Sequence, residues 1–162
     1  MQAQDAIQQA VEFSHMVTRM YVDDLNDADL LVRSVPGTNH IAWQLGHLIT
    51  STKHMLEGLG HPAPALPAAW AEAYTKDTAA SDDPAKFATK AEYLALVDQL
   101  QAATLAAIAA TPDSSLEAPG PEAMRAYAPT VAAVLMLLGM HWLMHAGQFV
   151  SIRRKLGKPP LM

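Results

Sequence analysis

No cysteine occurs anywhere in the chain. Disulfides, thiolate metal ligands and a protein thiol nucleophile are therefore excluded. Charge is sparse as well: Asp, Glu, Lys and Arg together make up 17% of the residues, and not one lies between Ala126 and Ile152. Basic residues form no run before Arg153-Arg154-Lys155, and the net charge is −5, which argues against a nucleic-acid-binding surface. The start of the chain, Met1-Gln2-Ala3-Gln4-Asp5, lacks the basic and apolar regions of a secretory signal, so a cytoplasmic location is expected. The uncharged stretch is long enough to cross a bilayer. It contains His141, His145, Gln148 and Ser151, however, which are costly in lipid. A buried helix, and no membrane partner, is the expectation. No alternating apolar–polar run argues for a strand, and there is no internal repeat.

What remains reads as helices. The 162 residues suit one domain, 1–162, with a core of useful size. Ile7, Ala10, Val17 and Tyr21 mark a first helix from about Asp5 to Leu25. A second begins near Thr38 or Asn39, either of which can serve as its N-cap, and stops at Gly58 and Gly60. The segment from His61 to Ala88, rich in Pro and Ala, is long for a connection, with Trp70 and Tyr74 able to anchor it through a short helical turn. Thr89-Lys90-Ala91-Glu92 is a capping box for a third helix, which Thr111-Pro112 ends. The fourth opens near Pro129, a good first-turn residue. It closes near Leu156, where Arg153, Arg154 and Lys155 complement the helix dipole and Gly157 suits the C-cap. The fold class is all-α, a four-helix up-and-down bundle with a long connection between helices two and three.

On the fourth helix, His141 and His145 stand four residues apart, about 6 Å along one face, so both rings can serve one ion. A useful site needs a third ligand. The second helix carries His40, His47 and His54, with His61 beyond it, each seven residues from the last, and about 10.5 Å between successive helical ones means that at most one joins the pair. His47 is favoured because it lies well inside its helix. His15, His40 and His61 read as exposed or core-satisfied residues. The apolar arc of this helix, Ile41, Leu45, Leu48, Ile49, Leu56 and Leu59, centres away from His47, whose own side holds Gln44, Ser51 and His54. A metal site there requires that this face border an open cleft. The fourth helix is apolar almost all round, with Met136, Met140 and Met144 in a stripe. A helix of this kind is covered on more than one side, by the long connection or by a second copy of the chain. A homodimer is expected.

The segments Asn39-His40-Ile41-Ala42-Trp43-Gln44-Leu45-Gly46-His47-Leu48, His141-x-x-x-His145-Ala146-Gly147-Gln148 and Ile152-Arg153-Arg154-x-Leu156-Gly157 resemble the DinB/YfiT-like superfamily of bacterial metalloenzyme-like proteins. The match in order and separation runs across nearly the whole chain. The resemblance implies a left-handed variant of the bundle, dimer formation, and a three-histidine site for nickel, zinc or iron. Residue by residue, the implied ligands are His47, His141 and His145. Some members of the superfamily are transferases or isomerases that use a low-molecular-weight thiol as cosubstrate.

Three neutral imidazoles leave a divalent ion its full charge and open positions for water or substrate. The expected function is thus metal-dependent catalysis on a small molecule, with a thiol attacking an electrophile in the thiol-dependent case. Gln148 is a candidate to orient a ligand histidine or the substrate, and Trp43 to wall the pocket. The alternative is a non-catalytic bundle with a structural ion or a ligand-sensing pocket. Haem binding is disfavoured, because there is no C-x-x-C-H attachment motif.

Overall fold

Four long helices make the body of the molecule in the computed structural model, which describes residues 2–159 and 161. They are α1 (Ala3–Val22), α3 (Ile41–Gly58), α5 (Lys90–Ala110) and α6 (Val131–Lys155), with one-turn helices α2 (Asp27–Leu30) and α4 (Trp70–Ala73) in the connections. No strand occurs among the described residues; Pro119 and Thr130 form an isolated bridge.

The helix ends follow side-chain capping, with three departures from the sequence expectation. His40, rather than Thr38 or Asn39, caps α3: its Nδ1 accepts from the Trp43 amide at 3.0 Å. Thr130, whose hydroxyl accepts from the Ala133 amide, caps α6 and leaves Pro129 outside it. The Thr89–Glu92 capping box opens α5 as expected, and Gly157 closes α6 at φ +71°. The first helix ends at Val22, three residues early. The following residues form α2 under its own Asn26–Asp29 capping box.

Cross-helix contacts give the direction of each helix. Val11 on α1 lies against Gly139 on α6, and farther along, Arg153 donates to the Tyr21 carbonyl at 3.0 Å, so α1 and α6 are parallel. Gln4 reaches the Ile108 carbonyl on α5 while Arg19 pairs with Asp98, so α1 and α5 are antiparallel. Gln44 meets His145, whereas Met55 and Leu137 share a wall farther along, making α3 and α6 antiparallel. The order of directions along the bundle is therefore up, down, down, up. Because α3 and α5 point the same way, the chain must climb back the length of the bundle, about 27 Å for an 18-residue helix. That is the physical reason for the long segment 61–88.

This return is fastened to α3 at the turn carrying His47. Tyr74 packs onto Gly46 so closely that a Cβ there would stand 2.0 Å from its ring. The Trp43 indole donates to the Thr75 carbonyl at 2.9 Å, and the Tyr74 and Tyr93 hydroxyls share a 2.6 Å hydrogen bond. Gly139 sets the other close approach: a Cβ on it would lie 3.1 Å from the Val11 Cα. The core between the helices holds Leu45, Leu48, Leu100, Leu138, Trp142 and Phe149, all fully buried.

Candidate metal centre

Polar groups enter this core near the middle of α6. Trp142 donates to the Thr52 hydroxyl at 2.9 Å and tilts against the His15 ring, 4.9 Å between centroids. His15 is 2% exposed, yet both its ring nitrogens lack a hydrogen-bond partner. It is a core residue but not a satisfied one. Burial holds its pKa down at about 4, with the charge of Asp98 pulling weakly the other way.

Beside this seam, with His141 one residue before Trp142 and His145 three after it, the three expected ligands converge. His47 comes from α3, and His141 and His145 from α6; one ring nitrogen of each lies within 4.8 Å of the others'. Ring centroids are 5.2 Å apart for His47 and His141, 5.4 Å for His47 and His145, and 4.9 Å for the α6 pair. The four-residue step on α6 puts its two rings on one face, and antiparallel packing brings the middle of α3 opposite them. His145 is buried, and the other two are partly exposed. His40 lies elsewhere: it is buried, caps α3 and reaches the Ser81 carbonyl at 3.0 Å. His61 approaches Thr111 at 3.3 Å.

Burial lowers the pKa of all three clustered histidines. His141 falls to about 4, with His47 adding repulsion, and His145 to about 4, with His141 and His47 adding to the burial effect. Each ring is therefore neutral at pH 7 and has a lone pair to offer. The cluster contains no carboxylate. Converging neutral imidazoles with no counter-charge are a donor set suited to a single divalent transition-metal ion, with coordination positions left for exchange.

The tautomer of His145 follows from its neighbour. Gln44 Nε2 donates to the Asn39 carbonyl at 2.8 Å, which turns Oε1 toward His145. His145 Nδ1–H therefore donates to Gln44 Oε1, at 2.8 Å, leaving Nε2 free to ligate. The sequence reading placed this task on Gln148, which is instead exposed on the outer side of α6. It also grouped Gln44 with the side of α3 away from the apolar arc, yet Gln44 is 1% exposed. Its position three residues before His47 was the available signal. Trp43 stacks its indole on His47 at 5.1 Å, 5° from parallel, and does not line the cleft described next.

On the far side of His47 and His141 a cleft of about 410 Å³ opens, lined also by Ser51, His54, Met55, Met124, Tyr127 and Leu137. This is the opening that the helical wheel of α3 required. Met124 and Tyr127 come from the irregular connection before α6, where no periodicity marks them in the sequence.

A model of the DinB superfamily matches residues 10–149. No curated protein matches. Two solved structures share the fold. A conserved protein from Enterococcus faecalis is 16% identical over 98% of this chain and 99% of its own, with a TM-score of 0.67. YfiT from Bacillus subtilis, described as a probable metal-dependent hydrolase with an unusual four-helix bundle topology, is 19% identical over 96% of this chain and 89% of its own, with a TM-score of 0.65.

Proposed function

This chain belongs to the DinB superfamily, and from that premise we propose that His47, His141 and His145 hold one divalent transition-metal ion at a site open for catalysis. The observation that carries the proposal is three neutral imidazoles converging beside a cleft, with no carboxylate in the cluster. Nickel, zinc and iron all suit such a set. When bound, an ion of this kind lowers the pKa of a coordinated water or thiol and polarises a carbonyl. The chain's own part is to prepare the ligands and shape the approach. Gln44 fixes the tautomer and plane of His145. Trp43 covers one face of His47 and keeps water from it. His47 and His141 border the cleft through which a substrate arrives.

The reaction is nucleophilic attack on a small electrophilic substrate. Attack by water agrees with the description of the Bacillus subtilis neighbour as a hydrolase. Attack by a low-molecular-weight thiol, in a transfer or isomerisation, agrees with the use of such a thiol as cosubstrate by some members of the superfamily. The test is to load the chain with zinc, nickel or iron and assay it in parallel. One set uses activated esters, and the other pairs small thiols with an electrophilic aryl halide. Turnover that requires the metal and disappears in His141→Ala supports catalysis. A fully loaded protein inert toward both sets is a metal-binding module instead.

The working unit is a homodimer. Support comes from Phe13 and Met16 on α1 and Met136, Met140, Leu143 and Met144 on α6, which are 39–58% exposed. Together they offer roughly 600 Å² of apolar surface, at the upper end for a monomer and near the ~800 Å² that each partner of a stable pair buries. The long connection lies against α3 and α5 and leaves this face bare. Residues 126–152 carry no charge, so the α6 part of the face meets a second copy across a two-fold axis without opposing like charges.

A further inference from the structure

Beyond the triad, the cleft wall carries no permanent charge. Its remaining lining residues are Ser51, His54, Met55, Met124, Tyr127 and Leu137. The nearest cations in sequence do not line the cleft. Arg125, between Met124 and Tyr127, donates to the Gly120 carbonyl at 2.7 Å, and Lys53, beside His54, is paired with Glu57. An anionic group lying along this wall, away from the triad, would lose hydration and gain no countercharge from a side chain, an unfavourable exchange. The chain's net charge of −5 adds a field that opposes anions. The wall instead offers apolar contact from Met55, Met124 and Leu137, with hydrogen bonding from Ser51, His54 and Tyr127. At about 410 Å³ it has the size of a small-molecule site.

We infer that the cleft receives an uncharged, partly apolar small molecule: its metal-binding head sits at the triad, and its tail carries neutral polar groups and no carboxylate or phosphate. The inference rests on the reading of the triad as a metal site, and it narrows the class of substrate or thiol that site accepts. Ser51, Leu137 and Tyr127 are its specificity-determining residues, because any one of them changed to a cation would supply the missing countercharge.

A matched pair of probes tests it. The intact chain is loaded with cobalt(II), and its visible spectrum is followed during titration with N-acetylcysteine or with N-acetylcysteine amide. Both carry the same thiol head and differ by one carboxylate. The amide is expected to bind at least tenfold more tightly, and Leu137→Arg to shrink or reverse that ratio. Equal or tighter binding of the acid overturns the inference, as does a ratio unmoved by Leu137→Arg or a cobalt-loaded protein that binds neither probe. A chain that takes up no cobalt overturns the metal reading itself, so the two failures are distinct.

Discussion

Gln44 links the sequence of α3 to the chemistry of α6. Its amide is fixed at one end by the Asn39 carbonyl and at the other by His145, so it orients a ligand without touching the ion. Outer partners of this kind typically contribute 10–100-fold to metal affinity. Gln44→Leu is predicted to keep the helical circular dichroism spectrum while weakening zinc binding by that range, as read by competition with a chromogenic chelator. Unchanged affinity would remove Gln44 from the site. His15 makes a different prediction. Its folded pKa of about 4 lies below the ordinary value of 6.5, so between those pH values the unfolded chain binds the extra proton. Stability from this residue is present above pH 6.5 and lost as pH falls toward 4. His141 and His145, also near 4, act in the same direction. In chelator-treated protein the denaturant midpoint should drop across that window, and the drop should be shallower in His15→Leu. An equal drop would mean that His15 is not buried neutral.

At the scale of elements, Gly46 is the tightest joint, since Tyr74 occupies the space a side chain would need. Gly46→Val must displace the aromatic anchor of segment 61–88. Overpacking typically costs about 1–3 kcal/mol, and that loss is predicted in urea unfolding, together with faster proteolytic cleavage within the segment. Unaltered stability and cleavage would contradict the fastening described. The four long helices were legible in the sequence because capping boxes, glycines and apolar spacing are local signals. Three boundaries were not, the early end of α1 at Val22 among them. A histidine ring acting as N-cap at His40 depends on its imidazole folding back onto Trp43, and the start of α6 depends on Thr130 rather than on the proline beside it. The His141–His145 pair was legible for the same local reason. Gln44 required knowing that α6 packs over it, which only antiparallel placement supplies.

For the whole molecule, the up, down, down, up order explains what composition alone does not: why a connection of this length is needed, and why α1 and α6 lie side by side although they come from opposite ends of the chain. Their shared outer surface carries the exposed methionines. Met140→Glu combined with Leu143→Glu is predicted to convert a dimer into a stable monomer, measured by light scattering after gel filtration. A wild-type monomer at micromolar concentration would contradict this assembly. The cleft lining was hidden from the sequence for a related reason, because Met124 and Tyr127 reach it from a connection without periodicity. The central claim concerns one ion and three rings, and elemental analysis of tag-free protein after metal loading and gel filtration tests it most directly. The account predicts close to one transition-metal ion per chain, and near-zero retention in His47→Ala, His141→Ala and His145→Ala; full retention in the three variants, or none in the wild type, would contradict it.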